Sequence, residues 1–191
     1  DTSKILSTYG NAFMLRTDSD KKLDEFKKYS NIPIINGLSP SSHPTQVLSD
    51  IFTIQEIKKK SISKLKLCWI GDANNNMMNS LVEACIKFSV YLNIACPKSY
   101  QPNKKLISLI KKQKGKIKIF NKKEIAIKNT DVVMTDKIIS LNDKVNRKKK
   151  LKSFKNFKLD IKTMNLAKKD AIFLHCLPRG SEVTEEVFLG K

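Results

Sequence analysis

The chain is poor in the residues that most often announce a function. Its 191 residues hold two histidines, one tryptophan, four cysteines and six glycines. The cysteines (Cys68, Cys85, Cys96 and Cys176) form no CxxC pair. That spacing argues against a zinc knuckle and a disulfide scaffold, and it fits a reducing cytoplasm. No spacing typical of metal ligands appears, so no metal is expected. No apolar run approaches the roughly 20 residues of a membrane span, and there is no signal-peptide pattern. A dinucleotide site would want GxGxxG after a strand, but only Gly71 is present where one would fit; a Walker-type phosphate loop is absent too.

Arginine is also scarce. Of 37 basic residues only three are arginine: Arg16, Arg147 and Arg179. Residues 103–169 carry 22 basic and 5 acidic side chains, which is +17 of the net +19. Lysine is abundant alongside 21 isoleucines and 15 asparagines. All three have A/T-rich codons, so genome bias accounts for much of the basicity. A nucleic-acid surface usually recruits arginine, whose planar fork grips phosphate. A solvated lysine face is the favoured reading and a nucleic-acid surface the alternative.

What is present is a globular composition, 40% hydrophobic and 29% charged, long enough to bury a core. Strand patterns fall at Ala12–Arg16, at Pro33–Asn36 (ended by Gly37), and at Leu65–Ile70, Val90–Cys96, Lys116–Phe120, Asp131–Met134 and Ala171–His175. Helical patterns fall at Lys21–Tyr29, His43–Lys60, Asn76–Phe88, Asn103–Lys114 and Lys144–Phe157, with a short helix before Asp131. Strands alternating with helices predict an α/β fold, a doubly wound, Rossmann-like parallel sheet with ligands at the carboxyl ends of its strands.

The polar clusters fall at such ends. His43-Pro44-Thr45-Gln46 opens a helix, where free N–H groups suit an anion; the plain alternative is a cap with a polar stripe. His43, Gln46 and Asp50 share one face of that helix. His175-Cys176-Leu177-Pro178-Arg179 follows a strand. Adjacent strand residues point to opposite faces, so a His175–Cys176 dyad is not expected. In Gly71-Asp72-Ala73-Asn74-Asn75-Asn76-Met77-Met78-Asn79-Ser80, asparagine amides could hold a zwitterion; the plain alternative is that one caps the helix. Thr135-Asp136, with Ser140 nearby, could hold an amine, and Arg16 ends the first strand.

HPTQ at 43–46, GDANNNMMNS at 71–80, TD at 135–136, HCLPR at 175–179 and SEVTEEVF at 181–188 together resemble the ornithine carbamoyltransferase family. HPTQ is shared with aspartate carbamoyltransferases; Cys176 stands where those typically have proline. The resemblance implies transfer of a carbamoyl group from carbamoyl phosphate to L-ornithine, giving L-citrulline in arginine biosynthesis. It implies homotrimers and no metal or organic cofactor. By the same resemblance Arg16, His43, Pro44, Thr45, Gln46, Cys176, Leu177 and Arg179 bind carbamoyl phosphate. Asn76, Asp136, Ser140, Leu141 and Cys176 match ornithine-binding positions, with Arg16, His43, Asp136 and Cys176 catalytic.

It further implies that residues 1–42 are the tail of a carbamoyl-phosphate domain, 43–60 an interdomain helix and 61–191 most of an ornithine domain. The family's phosphate loop and its terminal helix have no counterpart here, so an internal segment of a longer chain, inactive alone, is expected. One loop departs from the family's D-x-W-x-S-M-G: Ile138 stands for Trp, Leu141 for Met and Asn142 for Gly. A related enzyme acting on putrescine or a modified ornithine is therefore an alternative. No nucleic-acid or membrane partner is expected.

Overall fold

Residues 1–139 and 146–190 are described by a computed structural model. In chain order the elements are α1 (Thr2–Leu6), β1 (Phe13–Arg16), α2 (Asp20–Tyr29), β2 (Ile34–Leu38), α3 (Pro44–Lys58), β3 (Lys66–Ile70), α4 (Asn76–Lys87) and β4 (Tyr91–Ala95). They continue as α5 (Lys104–Lys111), β5 (Ile117–Phe120), α6 (Lys123–Ile127), β6 (Val132–Thr135), α7 (Arg147–Phe154), α8 (Ile161–Met164), β7 (Ile172–His175) and α9 (Glu185–Leu189).

Two parallel sheets result. β1 pairs with β2, and the other strands lie in the order β5-β4-β3-β6-β7. The chain lays β3, β4 and β5 outward from the centre. It then returns to the far side of β3 for β6 and β7. This is the expected doubly wound arrangement, with its switch point between β3 and β6.

Period-two alternation in β3 sorts its side chains into two layers. Leu67 and Trp69 pack with Val47 and Ile51 of α3, Leu81 of α4 and Ile110 of α5. Cys68 and Ile70 pack with Ile127 of α6, Phe154 of α7 and Val187 of α9. A sheet covered on both faces needs strands that are apolar throughout, as LKLCWI is. Helix starts are fixed by side chains that accept otherwise unpaired N–H groups: Asn75 from Met78 N at 2.8 Å, Asn103 from Leu106 N at 2.9 Å.

Several expectations need correction. β2 runs through Gly37, because Leu38 still pairs with Arg16. The helix after Asn103 stops at Lys111, and α7 gives way at Phe154 to a tighter turn over Lys155–Phe157. Its expected start at Lys144 lies outside the described residues. Phe88 is 38% exposed because it sits just past the end of α4. α1, α8 and α9 have five, four and five residues, too few for a helical period to register.

In the basic segment, Lys148, Lys149, Lys152 and Lys155 are exposed. Lys150 is instead buried, with its Nζ 2.7 Å from Asp72. Among the described residues no helix is long and apolar enough to cross a membrane.

Candidate active site

Arg16 is the last residue of β1, Thr135 of β6 and His175 of β7. These carboxyl ends and the start of α3 surround a cavity of about 530 Å³. Arg16, His43, Gln46, Asn76, Asp136 and Cys176 all line it, as does Leu177. Residues from five separated stretches of sequence therefore meet in one place.

The remaining sequence candidates lie elsewhere. Pro44 is the first residue of α3, and Thr45 Oγ1 donates to the Gly37 carbonyl at 3.1 Å; neither is part of the cavity wall. Arg179 is also off the wall, its guanidinium 5.2 Å from the centre of the Phe188 ring. Ser140 and Leu141 lie outside the described residues. Ile138, in the altered loop, is 5% exposed and packs in the core layer containing Phe154.

The asparagine-rich turn divides its labour. Asn75 caps α4. Asn76 Nδ2 donates to the Ser39 carbonyl at 3.0 Å, Asn79 Nδ2 donates to the Ser41 carbonyl at 2.8 Å, and Ser80 Oγ accepts from His43 N at 2.8 Å. These three lie on one face of α4 and fasten residues 39–43 to it. Of the four asparagines only Asn76 also faces the cavity.

The cavity is charged oppositely at its two sides. Arg16, His43 and the α3 N-terminus make one side suited to an anion. Burial and the Arg16 charge depress the His43 pKa against the opposing pull of Asp136, so the imidazole is neutral at pH 7. On the other side Cys176 Sγ donates to Asp136 Oδ1 at 2.9 Å, and Lys137 N donates to the same oxygen at 2.6 Å. Burial first, then the Asp136 hydrogen bond, push the Cys176 thiol up to about 12. It stays protonated and is a donor rather than a thiolate nucleophile. Cys68, Cys85 and Cys96 are buried with raised pKa values and belong to the core.

His175 does not meet the Cys176 thiol, as strand alternation requires. Its Nε2 lies 2.9 Å from Glu182 Oε1, and its Nδ1 bonds the Cys176 carbonyl. Burial alone would depress the His175 pKa; Glu182 and that carbonyl outweigh it and raise it. Glu182 also accepts from Gly180 N, so the pair ties the 175–182 turn together. No sequence signal marks Glu182 for this role. Asp50, which also lines the cavity, was visible in the shared face with His43 and Gln46 but had no assigned task. Among the described residues no three His, Cys, Asp or Glu side chains gather as a metal site would need.

The chain is similar in sequence and fold to known proteins. The model of the Asp/Orn binding domain of aspartate/ornithine carbamoyltransferases matches residues 63–191, and that of their carbamoyl-P binding domain matches residues 1–56. The ornithine carbamoyltransferase of Caldicellulosiruptor saccharolyticus is 43% identical over all of this chain and 63% of its own length. The crystal structure of the anabolic ornithine carbamoyltransferase of Campylobacter jejuni superimposes with a TM-score of 0.91 at 39% identity, over 99% of this chain and 64% of that one. The Pyrococcus furiosus ornithine carbamoyltransferase gives 0.86 at 35% identity, over 98% and 61%. The chain thus spans a little under two thirds of the relatives it matches. With two family models side by side along nearly its whole length, the chain belongs to the aspartate/ornithine carbamoyltransferase family.

Proposed function

We propose that the intact protein is an ornithine carbamoyltransferase, forming L-citrulline and phosphate from carbamoyl phosphate and L-ornithine. The observation that carries this reading is the Cys176–Asp136 pair, a protonated thiol on a carboxylate, facing Arg16 and His43 across one cavity. An acyl phosphate needs cationic and N–H groups; an alkylammonium needs a carboxylate. The cavity offers both within one enclosure.

The ornithine side-chain amine titrates like lysine, near ~10.4, so its reactive neutral form costs about 4–5 kcal/mol at pH 7. The ammonium gives up a proton to solvent, and Asp136 accepts a hydrogen bond from the amine and orients it. The amine attacks the carbamoyl carbon, the C–O bond to phosphate breaks, and the leaving phosphate takes the proton that the new C–N nitrogen gives up. Arg16 and neutral His43 stabilise the developing oxyanion and the leaving phosphate, which is preorganised electrostatic catalysis. Cys176 stays a thiol and forms no covalent intermediate. Homotrimeric assembly, a cytoplasmic setting and a place in arginine biosynthesis belong to the same proposal.

The test is a citrulline assay on the intact protein with ornithine, aspartate and putrescine as acceptors. Ornithine is expected to react fastest. Faster carbamoylation of aspartate or putrescine overturns the assignment; the putrescine arm also tests the altered loop after Asp136.

A further inference from the structure

Asp50 lines the cavity and has no part in the reaction above. It lies one helical turn beyond Gln46 on α3, and Gln46 Nε2 donates to its Oδ1 at 2.9 Å. An ionised carboxylate can only accept hydrogen bonds. It therefore admits the NH2 end of the Gln46 amide and turns the carbonyl end away. Burial raises the Asp50 pKa to about 6, against the pull of the Gln46 hydrogen bond, which leaves it ionised at pH 7. With one N–H of Gln46 committed to Asp50, the amide has its carbonyl oxygen, and one remaining N–H, for a ligand. Arg16 and Lys137, which also line the cavity, are donors only. A phosphate, all acceptors, has no use for that oxygen, whereas a carbamoyl NH2 does.

We propose that Asp50 is a positioning residue that fixes the Gln46 amide with its carbonyl toward the substrate, so that the pair selects carbamoyl phosphate over acyl phosphates lacking the NH2 group. This rests on the reading of the cavity as a carbamoyl phosphate site. A site built to hydrogen-bond an N–H group discriminates against the analogue without it, because the acceptor is then left unpaired. Asp50 supplies no atom to the reaction and works through Gln46. Its removal frees the amide to present either end.

Acetyl phosphate, with methyl in place of NH2, is the probe. In the intact protein one measures the KM for carbamoyl phosphate, the Ki of acetyl phosphate and the KM for ornithine. The variants are Asp50→Leu, Asp50→Asn, Gln46→Met and the Asp50→Leu/Gln46→Met double. Asp50→Leu and Gln46→Met should each raise the KM for carbamoyl phosphate about tenfold. Acetyl phosphate inhibition and the ornithine KM should stay within about twofold. Asp50→Asn, whose amide can face Gln46 with either end, should fall between, and it carries the test should the leucine variant not fold. The double variant should be no worse than either single one, since both remove the same interaction. Equal weakening of both phosphates, or additive losses in the double variant, overturns the proposal and leaves Asp50 a packing residue. A wild-type protein that does not use carbamoyl phosphate overturns the functional reading, and this inference with it.

Discussion

Neither β1 nor β2 contains a fully buried residue, whereas every residue of β6 and four of the five in β3 are buried. The two sides of the cavity stand on these two regions. Asp136 follows β6 directly and is anchored in a sheet covered on both faces. Arg16 ends a two-stranded sheet on which Met14 and Ile35 remain 59% and 44% exposed. Helix α3 joins the regions, with Val47, Ile51 and Ile54 buried while Leu48 and Phe52 are 54% and 67% exposed. Within this segment, residues 39–43 are tied to the larger sheet's layer through α3 and the three hydrogen bonds that α4 makes to them. The carboxylate side is held by the packing of β6, all four residues of which are buried.

Trp69→Ala should break the stronger region. Trp69 is 1% exposed in the core, and its indole N–H donates to the Asp72 carbonyl at 3.1 Å. The substitution should cost about 3–5 kcal/mol in denaturant unfolding. A loss below about 1 kcal/mol would show that the central sheet is not the stable unit.

Glu182→Gln sharpens the comparison at β7, through pH. A His175 pKa raised in the folded state stabilises fully below the ordinary value of 6.5, and this is lost as pH rises through the folded value. A depressed Glu182 pKa stabilises above 4.5, and this is lost as pH falls through its folded value. The pair contributes most between those limits. The variant should cost about 1–2 kcal/mol near pH 5.5 and less at pH 8. A deficit that is flat with pH would contradict the pairing. Phe52→Ala, in the thinly covered region, should change stability by about 0.5 kcal/mol or less; a larger loss would mean that this face is covered in solution.

The strands of the large sheet were legible because LKLCWI, YLNIAC and DVVM are short apolar runs between turn residues. The carboxyl-end rule then placed Asp136 and Cys176 correctly at strand ends. What the sequence could not show was contact across distance. Asn76 and Asn79 look alike to a reader of the chain, but only one faces the cavity. Arg179 adjoins the cavity-lining Pro178, but its guanidinium lies over Phe188 because the chain turns there. Glu182 is seven residues from His175, beyond the reach of any local pattern. Lys150, one basic residue in a run, was hidden among neighbours that are solvated.

In the proposed reaction Asp136 and Cys176 hold the amine while Arg16 and His43 hold the phosphate. Cys176→Ala tests it most directly, by steady-state kinetics in the intact protein with each substrate varied in turn. Loss of one hydrogen bond to a charged or reacting group, about 1.5–3 kcal/mol, predicts a ten- to hundredfold fall in kcat/KM for ornithine, with carbamoyl phosphate binding unchanged. Normal ornithine kinetics with only a lowered melting temperature would contradict the account and make Cys176 a packing residue.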